Sequence, residues 1–199
     1  MVVELFVMCV ASLLASSSEA CSCMPTHPQI NFCTSQFAVL ANVVNETVNR
    51  ENRWRGTRVY DIQVESVFKG EKISQVSTAL HGATCGVSLQ IGQQYVLTGS
   101  INRGVARIQS CNFQRRWDSL SKEVQNGFRK DYAKSCGCQI TSDYVTEAPV
   151  MSCMRPVRGN WKMSRCLDRH SVCQETCDRF ERCICAWTRS DNYQKCLER

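Results

Sequence analysis

Cys21-Ser22-Cys23-Met24-Pro25 is the stretch around which the chain is organised, because it directly follows an apolar leader whose removal would make Cys21 a first residue. A disulfide needs its two Cα atoms within about 6 Å. Cysteines two residues apart therefore give the new terminus two covalent anchors, and a terminus so held does not fray as most do.

Outward from that stretch, residues 1–20 have an apolar core from Leu5 to Leu14 and then Ser16-Ser17-Ser18-Glu19-Ala20, with small residues at the last and third-last positions. This is the pattern of a secretory signal peptide, and the apolar run is shorter than the roughly 20 residues that span a bilayer. No later segment could serve as a span, so the chain is expected to be secreted and extracellular. The 15 cysteines in 199 residues fit an oxidised, exported protein. Cleavage removes Cys9, Glu4 and Glu19, which leaves 14 cysteines, an even number that permits complete pairing, and raises the formal charge from +6 to +8.

Phe37 to Val44 is a β-prone run dense in branched residues, followed by Asn45-Glu46-Thr47, the one Asn-x-Ser/Thr glycosylation sequon. Asn45 is the glycosylation candidate. Residues 49–56 form a basic loop around Trp54. Arg58, Tyr60, Ile62 and Val64 alternate with Val59, Asp61, Gln63 and Glu65, which is a half-buried strand by period. Val76 to Leu80, Gln94 to Thr98 and Val105 to Ile108 add three more runs, separated by glycines. Five short strands with Gly-rich turns predict a small antiparallel barrel.

Leu120, Val124, Phe128 and Tyr132 recur every four residues, so the spacing predicts a helix over Ser119 to Lys134. Gly127 inside it costs about 1 kcal/mol of propensity, so the helix is expected to depend on packing against the barrel. Cys136-Gly137-Cys138 is read as a domain boundary. Eight cysteines from Cys138 to Cys196 then indicate a small module held by bridges more than by a large core.

These residues resemble the tissue inhibitors of metalloproteinases. The resemblance rests on Cys21-Ser22-Cys23-Met24-Pro25-Thr26-His27-Pro28-Gln29 with Phe32-Cys33 at a signal-peptide junction. Tyr60-Asp61-Ile62, Phe68-Lys69-Gly70, Thr84-Cys85-Gly86, Ser110-Cys111, Trp117-Asp118-Ser119-Leu120 and Cys185-Ala186-Trp187 follow in the family's order. It implies a mainly β fold: an OB-like five-stranded antiparallel barrel with flanking helices over 21–136, a netrin-like inhibitory domain, and a disulfide-rich C-terminal subdomain over 137–199. It also implies the bridges Cys21–Cys85, Cys23–Cys111, Cys33–Cys136, Cys138–Cys185 and Cys166–Cys177, and leaves Cys153, Cys173, Cys183 and Cys196 to pair in an unknown order.

The implied activity is inhibition of zinc metalloendopeptidases of the extracellular matrix, with no cofactor of the chain's own and no catalysis. Cys21 would bind the enzyme's zinc through its backbone nitrogen and carbonyl oxygen, in place of the attacking water. Ser22 would enter the main specificity pocket, Cys23, Met24 and Pro25 would follow the substrate groove, and Ala83, Thr84, Cys85 and Gly86 would extend the contact ridge. An α-amine of pKa 7.7 to 8.0 is deprotonated at pH 7 for about 1 to 1.4 kcal/mol, against roughly 4.6 for a lysine. A thiolate ligand is the chemical alternative.

His27, His81 and His170 share no metal-ligand spacing and are read as surface or turn residues; Asp118 and Glu123 are read as acids favoured at a helix N-terminus. Neither a Gly-x-Ser-x-Gly motif nor a phosphate loop is present, and no nucleic-acid role is indicated. A second class of function is a netrin-like binding module that holds sulfated matrix glycans through Arg50, Arg53, Arg55 and Arg58, or Arg115 and Arg116.

Overall fold

A computed structural model of the chain describes residues 21–52, 55–145, 147, 149 and 151–199. The leader, and Arg53 and Trp54 of the basic loop, lie outside the described residues. Ten strands are described: β1 Phe37–Arg50, β2 Gly56–Lys69, β3 Gln75–Ala79, β4 Gln94–Asn102, β5 Val105–Arg107, β6 Gln114–Arg116, β7 Gln139–Ser142, β8 Ser152–Arg155, β9 Cys173–Cys177 and β10 Cys183–Trp187. The main sheet runs β1-β2-β3-β5-β4-β6 and closes through an additional β1–β4 pairing. The five expected strands therefore form an OB-like ring, with β3 and β5 joined in parallel at Ser77 and Arg107.

Strand β1 shows why its sequence does not alternate cleanly. Phe37, Val39, Ala41 and Val43 point into the barrel with Tyr60, Ile62, Val76 and Leu97. Ala38 and Leu40 belong to a second core outside the barrel, with Phe32, Val96, Phe128 and Tyr132. A strand covered on both faces reads as a continuous apolar run. Register shifts near Ala38, Leu40 and Val43 are bulges of the kind that bend a long strand as a barrel closes.

The second core is roofed by helices. Helix α1 is Pro28–Thr34. The segment expected to be one helix from Ser119 to Lys134 is instead a 3-10 turn at Trp117–Ser119, α2 at Lys122–Asn126, a π-helical stretch at Gly127–Asp131 and α3 at Tyr132–Ser135. Ser121 begins α2 because its hydroxyl accepts from Val124 N–H, which leaves Leu120 in extended backbone. A strict four-residue apolar period overruns the 3.6-residue α turn, and the wider π turn accommodates it. Gly127 is needed for packing, since a Cβ there would lie 2.3 Å from the Tyr132 ring.

The C-terminal part is more regular than its composition suggests. Two amphipathic helices, α4 Trp161–His170 and α5 Asp191–Glu198, share a small core of Cys166, Leu167 and Tyr193. Strands β7 and β8 pair in parallel, and β9 and β10 form an antiparallel hairpin. Arg155, 5% exposed, is paired at two oxygens with Asp168, at 2.7 and 2.6 Å.

Seven bridges link all 14 described cysteines: Cys21–Cys85, Cys23–Cys111, Cys33–Cys136, Cys138–Cys185, Cys153–Cys173, Cys166–Cys196 and Cys177–Cys183. The expected Cys166–Cys177 bridge is thus corrected. Cys166 lies on the face of α4 that packs against α5, which brings Cys196 to a Cα separation of 5.7 Å. Cys177 stands opposite Cys183 in the hairpin register, at 4.0 Å.

Candidate functional site

The edge that begins at Cys21 is built from two chain segments. Cys21 to Thr26 runs in irregular backbone into α1, and a 3-10 turn at Gly82–Thr84 lies beside it. The Cys21–Cys85 and Cys23–Cys111 bridges hold Cα pairs 5.1 and 5.2 Å apart. Their sulfurs lie on one side of the chain: Cys21 Sγ and Cys23 Sγ are 4.0 Å apart, and Ser110 Oγ sits 3.1 Å from the first and 3.6 Å from the second. Ser110 N–H also donates to Cys85 O at 2.9 Å. The terminal segment is therefore attached to the turn by sulfur and backbone together.

The backbone nitrogen of Cys21 donates to Ala83 O at 3.0 Å, which fixes its direction. Inside the turn, Thr84 and Gly86 N–H and the Thr84 hydroxyl all donate to His81 O. Cys85 takes a left-handed φ of 63°, uncommon for a residue with a Cβ. Gly86 cannot be larger, because a Cβ would meet Ala79 O at 2.2 Å. Ser22, Met24, Pro25, Thr26, Ala83 and Thr84 are all exposed, Met24 to 65%. A row of exposed side chains on backbone held by bridges loses little freedom on binding, which is how preorganisation favours affinity.

Behind this edge the structure corrects one expectation. His27, read as a surface or turn residue, is fully buried. Pro28 has no N–H and a φ suited to the first helical position, and the His27 Nδ1 caps α1 by accepting from Gln29 N–H at 3.1 Å. Its Nε2 lies 3.2 Å from Leu167 O, and its ring centroid lies 5.0 Å from that of Trp187. Burial lowers its pKa to about 4, against a smaller opposing pull from Asp168. Gln29 is also buried; its amide donates to Ser135 O and Cys173 O and accepts from Cys173 N–H. Sequence reasoning missed that His27 and Gln29 join the barrel to the C-terminal part. The available signal was a polar residue on each side of Pro28, followed by the apolar face of α1.

The remaining candidates separate clearly. His81 is exposed, and His170 Nδ1 lies 3.4 Å from Glu123 Oε2. Glu123 stands in the first turn of α2, whereas Asp118 pairs with Arg116. Among the basic residues, Arg58 is paired with Glu46 at 2.6 Å and also bonds Ser88. Asn45 is exposed on β1, and its side-chain nitrogen donates to Asp61 at 3.1 Å. The sulfurs of Cys21, Cys85 and Cys111 come close enough together to suggest a metal site, but all are bridged, and a bridged sulfur offers no thiolate. The same applies to Cys177 and Cys183 beside Glu175. No helix among the described residues is long and apolar enough to cross a membrane.

Known proteins match the chain over most of its length. The family model described as "Tissue inhibitor of metalloproteinase" matches residues 19–187. Metalloproteinase inhibitor 4 of Mus musculus is 31% identical over 86% of this chain and 81% of its own length. Metalloproteinase inhibitor 2 of Bos taurus is 30% identical over 92% and 88%, and metalloproteinase inhibitor 3 of Scyliorhinus torazame is 33% identical over 66% and 63%.

Proposed function

Since the chain belongs to the tissue inhibitor of metalloproteinase family and is a metalloproteinase inhibitor, not an enzyme, we propose that it acts through the backbone of Cys21 on the target's catalytic zinc. Removal of residues 1–20 turns the Cys21 nitrogen into a primary amine. That amine and the Cys21 carbonyl oxygen close a five-membered chelate on one metal ion and displace the water that would attack a peptide bond. No residue precedes Cys21 in the processed chain, so no scissile bond is presented to the zinc.

The observation that carries this reading is the anchoring of Cys21 at an exposed edge, bridged to Cys85 and held 3.0 Å from Ala83 O. A neutral amine that donates one hydrogen to Ala83 O keeps its lone pair for the metal. Sulfur is committed to bridges, which favours the amine over a thiolate. Ser22 extends into the specificity pocket, Cys23 to Pro25 follow the substrate groove, and Ala83 to Gly86 form the adjoining ridge. Residues 21–136 constitute the inhibitory domain and 137–199 the C-terminal subdomain. Secretion is supported by the leader pattern and by seven bridges, which persist in an oxidising compartment; Asn45 is an accessible acceptor for a glycan. Glycan binding by the basic residues has less support, since Arg58 and Arg116 are engaged by Glu46 and Asp118.

The test is to titrate an active matrix metalloproteinase with correctly processed protein and with a version carrying one extra N-terminal Ala. The processed protein is expected to inhibit and the extended one to lose inhibition, because an acylated nitrogen has no free lone pair. Equal inhibition by both would refute the chelate.

A further inference from the structure

A groove of about 780 Å³ opens directly behind the wedge. One wall is Cys23 to Thr26, the second is the Ser110–Arg115 segment with Leu120 and Ser121, and the third is the face of α4 that carries Arg165 and Arg169. Ser121 Oγ donates to Arg169 O and joins two of these walls. Among the described residues, the full charges in the groove that lack an ion-pair partner are of one sign. Arg115, Arg165 and Arg169 are exposed and form no ion pair among the described residues. The one carboxylate in the lining, Asp168, is already held at both oxygens by Arg155. His170 faces Glu123, which does not line the groove. Met24, Phe113 and Leu120 supply apolar surface between the cations.

We propose that this groove receives an acidic segment from the cleft rim of the bound metalloproteinase, making it a second recognition surface. This rests on the wedge reading above. Two observations favour that occupant over others. Arg165 and Arg169 are four residues apart on one helical face, and Arg115 of β6 lines the same groove, so carboxylates can be reached from two elements by planar guanidinium forks. The groove is also continuous with Cys23, Met24 and Pro25, so whatever the wedge enters is brought against its mouth. Apolar surface between the cations fits a peptide segment better than a bare inorganic anion.

The experiment compares the full processed protein with its R165E/R169E variant. Inhibition constants are measured against a metalloproteinase with acidic rim residues and against the same enzyme with those residues changed to amides. Reversal is expected to weaken inhibition of the acidic-rim enzyme about tenfold or more, mostly through association rate and most strongly at low salt. Inhibition of the amide enzyme should change less than about twofold. A second arm measures anisotropy of a fluorescein-labelled peptide alternating Glu with Leu, which should bind the unaltered protein and not the variant. Equal losses against both enzymes, or no loss, would overturn the proposal, as would displacement of the peptide by a heparin fragment with no rim dependence. If neither enzyme is inhibited at all, the wedge reading fails and the proteinase is excluded as occupant; the peptide arm then shows separately whether the groove selects anions.

Discussion

Replacement of His27 by Asn should remove a pH dependence of stability without removing the helix cap. Asn is a good N-cap residue, so the acceptor for Gln29 N–H is retained while the titrating ring is lost. In the native protein the ring is fully buried and its pKa falls from 6.5 to about 4, chiefly through burial. A histidine whose folded pKa is depressed stabilises the fold when neutral. That contribution is fully present above pH 6.5 and is lost as the pH falls towards 4, because the unfolded chain takes the proton first. Linkage over this window gives a loss of about 2 kcal/mol by pH 5 and about 3 kcal/mol by pH 4. Urea unfolding with all bridges intact, followed through Trp187 fluorescence beside the ring, gives the two stability curves against pH. The variant should be less stable at pH 7, through loss of the Leu167 contact and ring packing, and the gap should narrow as the pH falls. A gap that stays constant between pH 7 and pH 4.5 would refute the reasoning, as would a His27 imidazole NMR signal titrating near 6.5.

Gly127→Ala should lower the melting temperature despite the better helix propensity of Ala, because the added methyl meets the Tyr132 ring and overpacking costs about 1 to 3 kcal/mol. Loss of the Cys166–Cys196 bridge by paired Ser substitution should cost about 3.5 kcal/mol and loss of Cys177–Cys183 about 2 kcal/mol, from the larger loop that the first closes. A non-reducing proteolytic digest should yield linked peptides for these two pairs; recovery of Cys166 linked to Cys177 would contradict the fold of the C-terminal part. Ser22→Gly should raise inhibition constants by emptying the specificity pocket while leaving thermal stability unchanged; unaltered constants across several metalloproteinases would show that Ser22 is not the pocket residue.

Much of the N-terminal part is legible in the chain because its signals are local. The alternation from Arg58 to Glu65 marks β2, glycines punctuate the later strands, and the Cys-x-Cys marks the doubly bridged edge. The helix over 119–134 was legible in position but not in form, since a four-residue period does not reveal a π turn or that Gly127 leaves room for a ring. His27 looked like a turn residue for a similar reason: a histidine before a proline gives no sign that α4 and Trp187 will cover it. Of the C-terminal pairs, the resemblance gave Cys138–Cys185, but Cys166–Cys196 and Cys177–Cys183 were beyond reach, because the first is brought together by helix packing and the second by hairpin register, and spacing along the chain carries neither.

By itself, then, the sequence determined the barrel's strands and marked the Cys-x-Cys segment at Cys21 and Cys23, because strand period and close cysteine spacing are properties of neighbours in the chain. Only the tertiary structure decided how Cys153, Cys166, Cys173, Cys177, Cys183 and Cys196 pair, that His27 and Gln29 lie at the junction of two parts, and that Arg115, Arg165 and Arg169 line one groove. Those depend on which surfaces of distant segments come within a few ångströms, and that is settled by packing over the whole fold.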